Sequence, residues 1–217
     1  MTLNLKDWVL CNLSDSHRFP RCFSNWNLHF GAMLWNLWLP GGTDLLLTIA
    51  TIGWTSPRWL KPPDPFIKAN TDGGKSSALG RSFCGGVARN SAEDWCFGFA
   101  KFIGVCSVLD VEVWGAYLGL SLAWEKGFQL VILELDSVAI AGVVRKDYNG
   151  YHNFCGHFVE LWCRPWHVKV VLVKRQRNQV ADTCAKLVNC NTLDIIHFDR
   201  PPASVSHLLQ LDLSADR

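Results

Sequence analysis

The chain has no Cys-x-x-Cys pair, no Gly-x-Ser-x-Gly elbow and no apolar run long enough to cross a bilayer. Its most apolar early stretch, Leu45 to Trp54, is ten residues long and interrupted by two Thr and a Gly, against about 20 needed for a spanning helix. The start, Met1 to Asp7, lacks a basic segment leading into an apolar core, which argues against an export signal there. Nine cysteines make an odd count, so free thiols in a reducing compartment are expected rather than a disulfide scaffold. Together these absences predict an intracellular protein, nuclear or cytoplasmic, with no membrane partner. Blocks of a single charge are missing too: 21 Lys and Arg stand against 19 Asp and Glu, and a net charge of +2 favours a nucleic-acid partner only faintly. The glycines of 80 to 86 have no Lys-Ser/Thr to make a phosphate-cradling loop. His152, Cys155, His157 and Cys163 do not reproduce zinc-site spacing.

What is present is enough apolar residue, 49% of 217, for one full domain and an appendage. The chain divides near residue 60. Residues 1–58 show turn signals and no sustained alternation, and are expected to be poorly ordered or to form short helices, one at 28–39 ended by Pro40. Pro57, Pro62, Pro63 and Pro65 make a stiff connection into the domain expected at 59–190, which leaves 191–217 as a tail. Within the domain, strands are predicted at 66–72, 83–90, 95–103, 129–135 and 168–173. Helices are predicted at 110–126, 137–146, 152–162 and 178–189. Three strands followed by alternating helices and strands give an α/β fold: a five-stranded mixed sheet with helices packed on its faces.

Four acids stand in contexts where a solvated surface charge is not the obvious reading. Asp72 ends the alternating run Phe66 to Thr71, and Asp136 follows the apolar run Leu130 to Leu135. Glu112 continues a helical stripe of Ala116, Gly119 and Ala123, whose small side chains let a helix lie close to a sheet, where a Glu needs a partner or a metal. Asp182 sits in the first turns of the last helix. Each has a plainer alternative. Asp72-Gly73 is a common turn dipeptide, Asp136 can cap the helix after it, and Asp182 can complement a helix dipole. As a set, carboxylates from two strand ends and two helices suit hard divalent cations, which prefer oxygen ligands.

Several strings, in order, resemble the ribonuclease H family in its plant non-LTR retroelement branch. They are Trp59 to Pro63 with Lys68-Ala69-Asn70-Thr71-Asp72-Gly73, Gly85-Gly86-Val87-Ala88-Arg89, Val111 to Ala116 with Gly119 to Trp124, Leu133-Glu134-Leu135-Asp136-Ser137, and Arg175, Asn178, Val180, Ala181, Asp182 with Ala185-Lys186-Leu187. The resemblance implies a ribonuclease H-like fold and hydrolysis of the RNA strand of an RNA–DNA hybrid by a monomer. It implies Asp72, Glu112, Asp136 and Asp182 as catalytic ligands of two Mg²⁺ or Mn²⁺ ions, Asp72 and Asp136 being shared. Hybrid contacts are expected from Asn70, Gly73 and Gly74 to 2′-hydroxyls, and from Lys75, Arg81, Lys174, Arg175, Arg177 and Asn178. The chain departs from the family at Leu172, where many members carry His, and at Gly74, Asn90 and Gln176. None of these removes a ligand, and a catalytically weak or inactive nucleic-acid-binding relic of the same fold is the alternative.

Overall fold

The computed structural model describes residues 58–76, 80–138, 140, 161 and 164–213. All but the last residue of the segment expected at 1–58, the four His and Cys residues weighed for zinc, and most of the helices expected at 137–146 and 152–162 lie outside these. Residues 45–151 and 166–217 form one compact unit, which holds every element described below.

Strand β1 (Ile67–Lys75) pairs antiparallel with β2 (Ser82–Arg89), and β2 with β3 (Trp95–Gly104). Helix α1 (Val108–Glu125) then crosses back over the sheet, so that β4 (Leu130–Leu135) adds to β1 in parallel and β5 (His167–Leu172) adds to β4 likewise. A 3₁₀ turn at Arg175–Arg177 leads into α2 (Gln179–Lys186). The sheet has six strands in the order β5-β4-β1-β2-β3-β6, one more than expected. Its sixth strand, β6 (Ile196–Phe198), comes from the expected tail and pairs antiparallel with β3. After it, Val205 is fully buried in a cluster with Val87, Val180 and Cys184, and Leu208 and Leu209 of helix α3 (Ser206–Leu213) pack against them. Three residues are too few for a periodic signal, and β6 is held by its pairing with β3 and by Phe198, which packs against the same cluster.

Local chemistry sets the bounds of α1. Ser107 caps it by accepting from the Asp110 amide at 3.0 Å, and the Asp110 carboxylate answers the Ser107 amide at 3.2 Å, a capping box. Gly127, at φ 83°, ends it in the left-handed conformation. Its small residues do what their spacing predicts. A Cβ at Gly119 would stand 2.6 Å from Thr71 Cγ2, and one at Gly115 3.0 Å from the Asp72 carbonyl oxygen, so α1 lies directly against β1. On the other face α2 lies as close, because a Cβ at Gly85 would stand 2.4 Å from the Ala185 nitrogen.

Candidate active site

Strand alternation puts Lys68, Asn70 and Asp72 on one face of β1, next to Glu134 on β4. Asn70 and Glu134 are the last pair of the parallel β1–β4 ladder. Two residues beyond each stand Asp72, past the end of the β1–β4 ladder, and Asp136, just past the end of β4, where open parallel sheets gather their ligands. Asp72 does not end its strand, as the sequence suggests. β1 runs on to Lys75 because β2 continues to pair with it, Asp72 opposite Gly85. That Gly85 admits α2 to the same face, and α2 carries Asp182 one turn ahead of Ala185. Glu112 arrives from the opposite face: a Cβ at Gly73 would lie 2.5 Å from the Glu112 nitrogen, so the glycine lets α1 meet the strand beside the acids.

The four carboxyls feel one another. Asp72, 7% exposed, is pushed up to about 7 by burial, then by the charges of Asp136, Asp182 and Glu112 and a hydrogen bond with Asp182. Burial also raises Glu112, opposed by a hydrogen bond with Ser137 and reinforced by Asp136. Asp136 is raised by burial, with Arg175 pulling the other way and Asp182 adding to the rise. Asp182 pairs with Lys186, Oδ2 to Nζ 2.6 Å, along the surface of α2. Asp72, Glu112 and Asp136 line one crevice of about 10 Å³ with Thr71, Ser137 and Ile140. That is about the room a single water molecule needs.

Among the described residues, no three His, Cys, Asp or Glu side chains form a ready-made shell around one ion. The chemistry of the donors nonetheless fits divalent metal. They are all oxygen ligands, they repel one another across a small crevice, and the buried Thr71 hydroxyl on its wall has no hydrogen-bond partner. A larger cleft, of about 290 Å³, lies between α2 and α3, lined among others by Arg58, Arg177, Leu208, Leu211 and Asp212. It carries no comparable cluster of acids.

The crowding has a measurable consequence. A carboxyl raised from 3.8 to about 7 favours the folded state fully below its unfolded value, and that contribution is lost as the pH rises through about 7. The loss amounts to at most roughly 4 kcal/mol. In chelator, the melting temperature of wild type relative to Asp72→Asn is therefore expected to fall between about pH 4 and pH 8. Mg²⁺ should restore it at pH 8. Parallel pH profiles for the two proteins would show that Asp72 is not crowded.

The residues expected to touch a hybrid divide. Lys75, Arg81, Lys174 and Arg175 are exposed, and Gly73 and Gly74 half-buried. Lys75 Nζ donates to the Cys106 carbonyl at 3.0 Å. Arg177 is buried, 6% exposed. Asn70 and Asn178, each 1% exposed, are interior. Asn70, expected to contact a hybrid, bonds within the protein: its oxygen accepts from Trp59 Nε1 at 3.0 Å, and its nitrogen donates to Glu134 Oε2 at 2.9 Å. Alternation in a sequence cannot say which face a later segment will cover. Sequence reading also passes over Glu134, whose Oε1 lies 2.8 Å from Lys68 Nζ, and Arg89, which stacks 3.6 Å above the Trp59 ring and pairs with Asp212 at 2.8 Å. Their partners are too distant in sequence to leave a local signal.

Solved structures share the fold. Ribonuclease H1 of Halobacterium salinarum is 18% identical, with a TM-score of 0.50 over 56% of this chain and 95% of that one. LC11 ribonuclease H1, solved with an RNA/DNA hybrid, is 19% identical, with a TM-score of 0.50 over 55% of this chain and 94% of that one. A mixed sheet in this order, with acids just past the last pair of the β1–β4 ladder and a helix on each face, defines a ribonuclease H-like protein. In sequence, residues 70–188 match the family described as reverse transcriptase-like, and the chain belongs to that family. A protein of Arabidopsis thaliana that carries the provisional name of ribonuclease H protein is 35% identical over 173 residues, 74% of this chain. The chain spans 27% of that relative's length.

Proposed function

We propose that the protein hydrolyses the RNA strand of RNA–DNA hybrids with two divalent ions, Mg²⁺ or Mn²⁺, and that it derives from a retroelement. The observation that carries this reading is the crevice lined by Asp72, Glu112 and Asp136 just past the last pair of the β1–β4 ladder, with Asp182 hydrogen-bonded to Asp72. Asp72 and Asp136, nearest the middle, would be shared ligands, with Glu112 and Asp182 completing the two sites. When bound, the ions supply activation of water and stabilisation of the departing 3′ oxygen. The protein supplies placement: the sheet fixes Asp72 and Asp136, and the glycine contacts at 73 and 85 bring the helices that deliver Glu112 and Asp182. Arg175, whose charge reaches both Asp136 and Glu112, is exposed where it can receive a scissile phosphate, with Lys174 beside it and Lys75 on β1 as further phosphate contacts. The backbone at Gly73-Gly74 is left as the reader of 2′-hydroxyls.

A labelled hybrid incubated with the protein and Mg²⁺ should be cut in its RNA strand, whereas single-stranded RNA and duplex DNA are spared. Equal cutting of all three would overturn the hybrid reading. No cutting, by protein shown to be folded, would favour a relic that binds without catalysis.

A further inference from the structure

We infer that Asn178 is a positioning residue that fixes Asp182 against Asp72, an inference that rests on the metal reading proposed above. Asn178 immediately precedes α2, where an Asn ordinarily caps the helix with its own side chain. Here it does not. Its backbone, at φ −103° and ψ 8°, lacks the extended conformation of a cap, and its side chain makes no capping bond. The amide turns into the sheet instead. Its Nδ2 donates to the Thr71 carbonyl at 2.9 Å, and its Oδ1 accepts a longer bond of 3.4 Å from Asn70. Asn70 is fixed in turn by Trp59 and Glu134, so the amide of Asn178 sits at the end of a buried chain of bonds.

The two ends of this residue hold the two acids. The side chain grips the peptide joining Thr71 to Asp72, while the main-chain carbonyl accepts the Asp182 amide at 3.0 Å. Two carboxyls brought together repel, and the packing that holds α2, through Val180, Cys184 and Ala185, is made more with β2 than with the strand that carries Asp72. A buried bond from its first turn to the strand backbone opposes that repulsion. With it gone, Asp182 should draw back from Asp72, and the ligand set would lose a member without losing a carboxylate.

Three proteins test this: Asn178→Ala, the milder Asn178→Ser, and Val180→Ala. Val180→Ala trims a buried core residue of the same helix but leaves the bond in place. Calorimetric titration of the full chain with Mn²⁺ alone is expected to show binding weakened about tenfold or more in Asn178→Ala, as is usual when a group orienting a ligand is lost. The Asp182 amide should exchange hydrogen faster in the same protein. Val180→Ala should lower the melting temperature and keep Mn²⁺ affinity within about twofold, since its effect is on packing. In hybrid cleavage, kcat should fall in Asn178→Ala with KM little changed. Should the alanine protein fail to fold, Asn178→Ser gives the same comparison. Wild-type Mn²⁺ affinity in a folded Asn178 variant, or an equal loss in Val180→Ala at matched stability, would overturn the inference and leave the metal reading standing. A wild type that binds no Mn²⁺ overturns both.

Discussion

Asp136→Asn should lower hybrid hydrolysis by orders of magnitude while leaving the protein as stable as before or more so. The substitution keeps the shape of the side chain and its ability to cap a following helix, because Asn and Asp rank together as caps. What it removes is a negative charge. That charge helps to raise Asp72 and Glu112, so in the absence of metal its loss relieves repulsion. A site that gains stability when a charge is removed is one whose arrangement serves function at the expense of the fold. Single-turnover cleavage of a labelled hybrid and thermal unfolding in chelator check the two halves. Hydrolysis equal to wild type, in protein free of host nuclease, would make Asp136 a cap and nothing more.

Glu134→Ala should be the most damaging single change to stability, at about 3–5 kcal/mol, the usual cost of removing one partner from a buried ion pair. Glu134 is 3% exposed and Lys68 6%. Without the carboxylate, the Lys68 ammonium keeps the Leu60 carbonyl and the face of the Trp59 ring but no counter-charge, and the Asn70 amide loses its best acceptor. The reciprocal test is the double change Lys68→Met, Glu134→Leu, which removes both charges and should cost much less than Glu134→Ala alone. Urea unfolding with unchanged slope measures both. A midpoint for Glu134→Ala within about 1 kcal/mol of wild type would show that water reaches the pair.

The sequence reveals most where the signal is local. Predicted bounds for β2, β3, β4, β5, α1 and α2 lie within about three residues of those observed, because alternation and the Gly127 stop are written in consecutive residues; the Ser107-to-Asp110 box, not read from the sequence, starts α1 two residues earlier than predicted. Asp72, Glu112 and Asp136 can be picked out because each sits in an alternating, small-residue or apolar run, whereas Asp182 is singled out by the family resemblance. Less visible is anything that depends on what lies across the sheet. Asn70 and Asp72 share a face and a polar character, yet one is tied to Trp59 and Glu134 while the other meets three acids. Only the third dimension separates a residue holding the site from one belonging to it. The same holds for Arg89, whose partners Trp59 and Asp212 lie 30 residues before it and 123 after it. β6 is hidden for a different reason, being too short to carry a period.

Anomalous diffraction from crystals of the full chain soaked in Mn²⁺ tests most directly whether the four carboxylates form one metal-holding site. Peaks are expected between Asp72 and Asp136, with Glu112 and Asp182 as further ligands and the Asp182–Lys186 pair loosened. Strong peaks elsewhere, with none among these four, in crystals that bind Mn²⁺ would contradict the account.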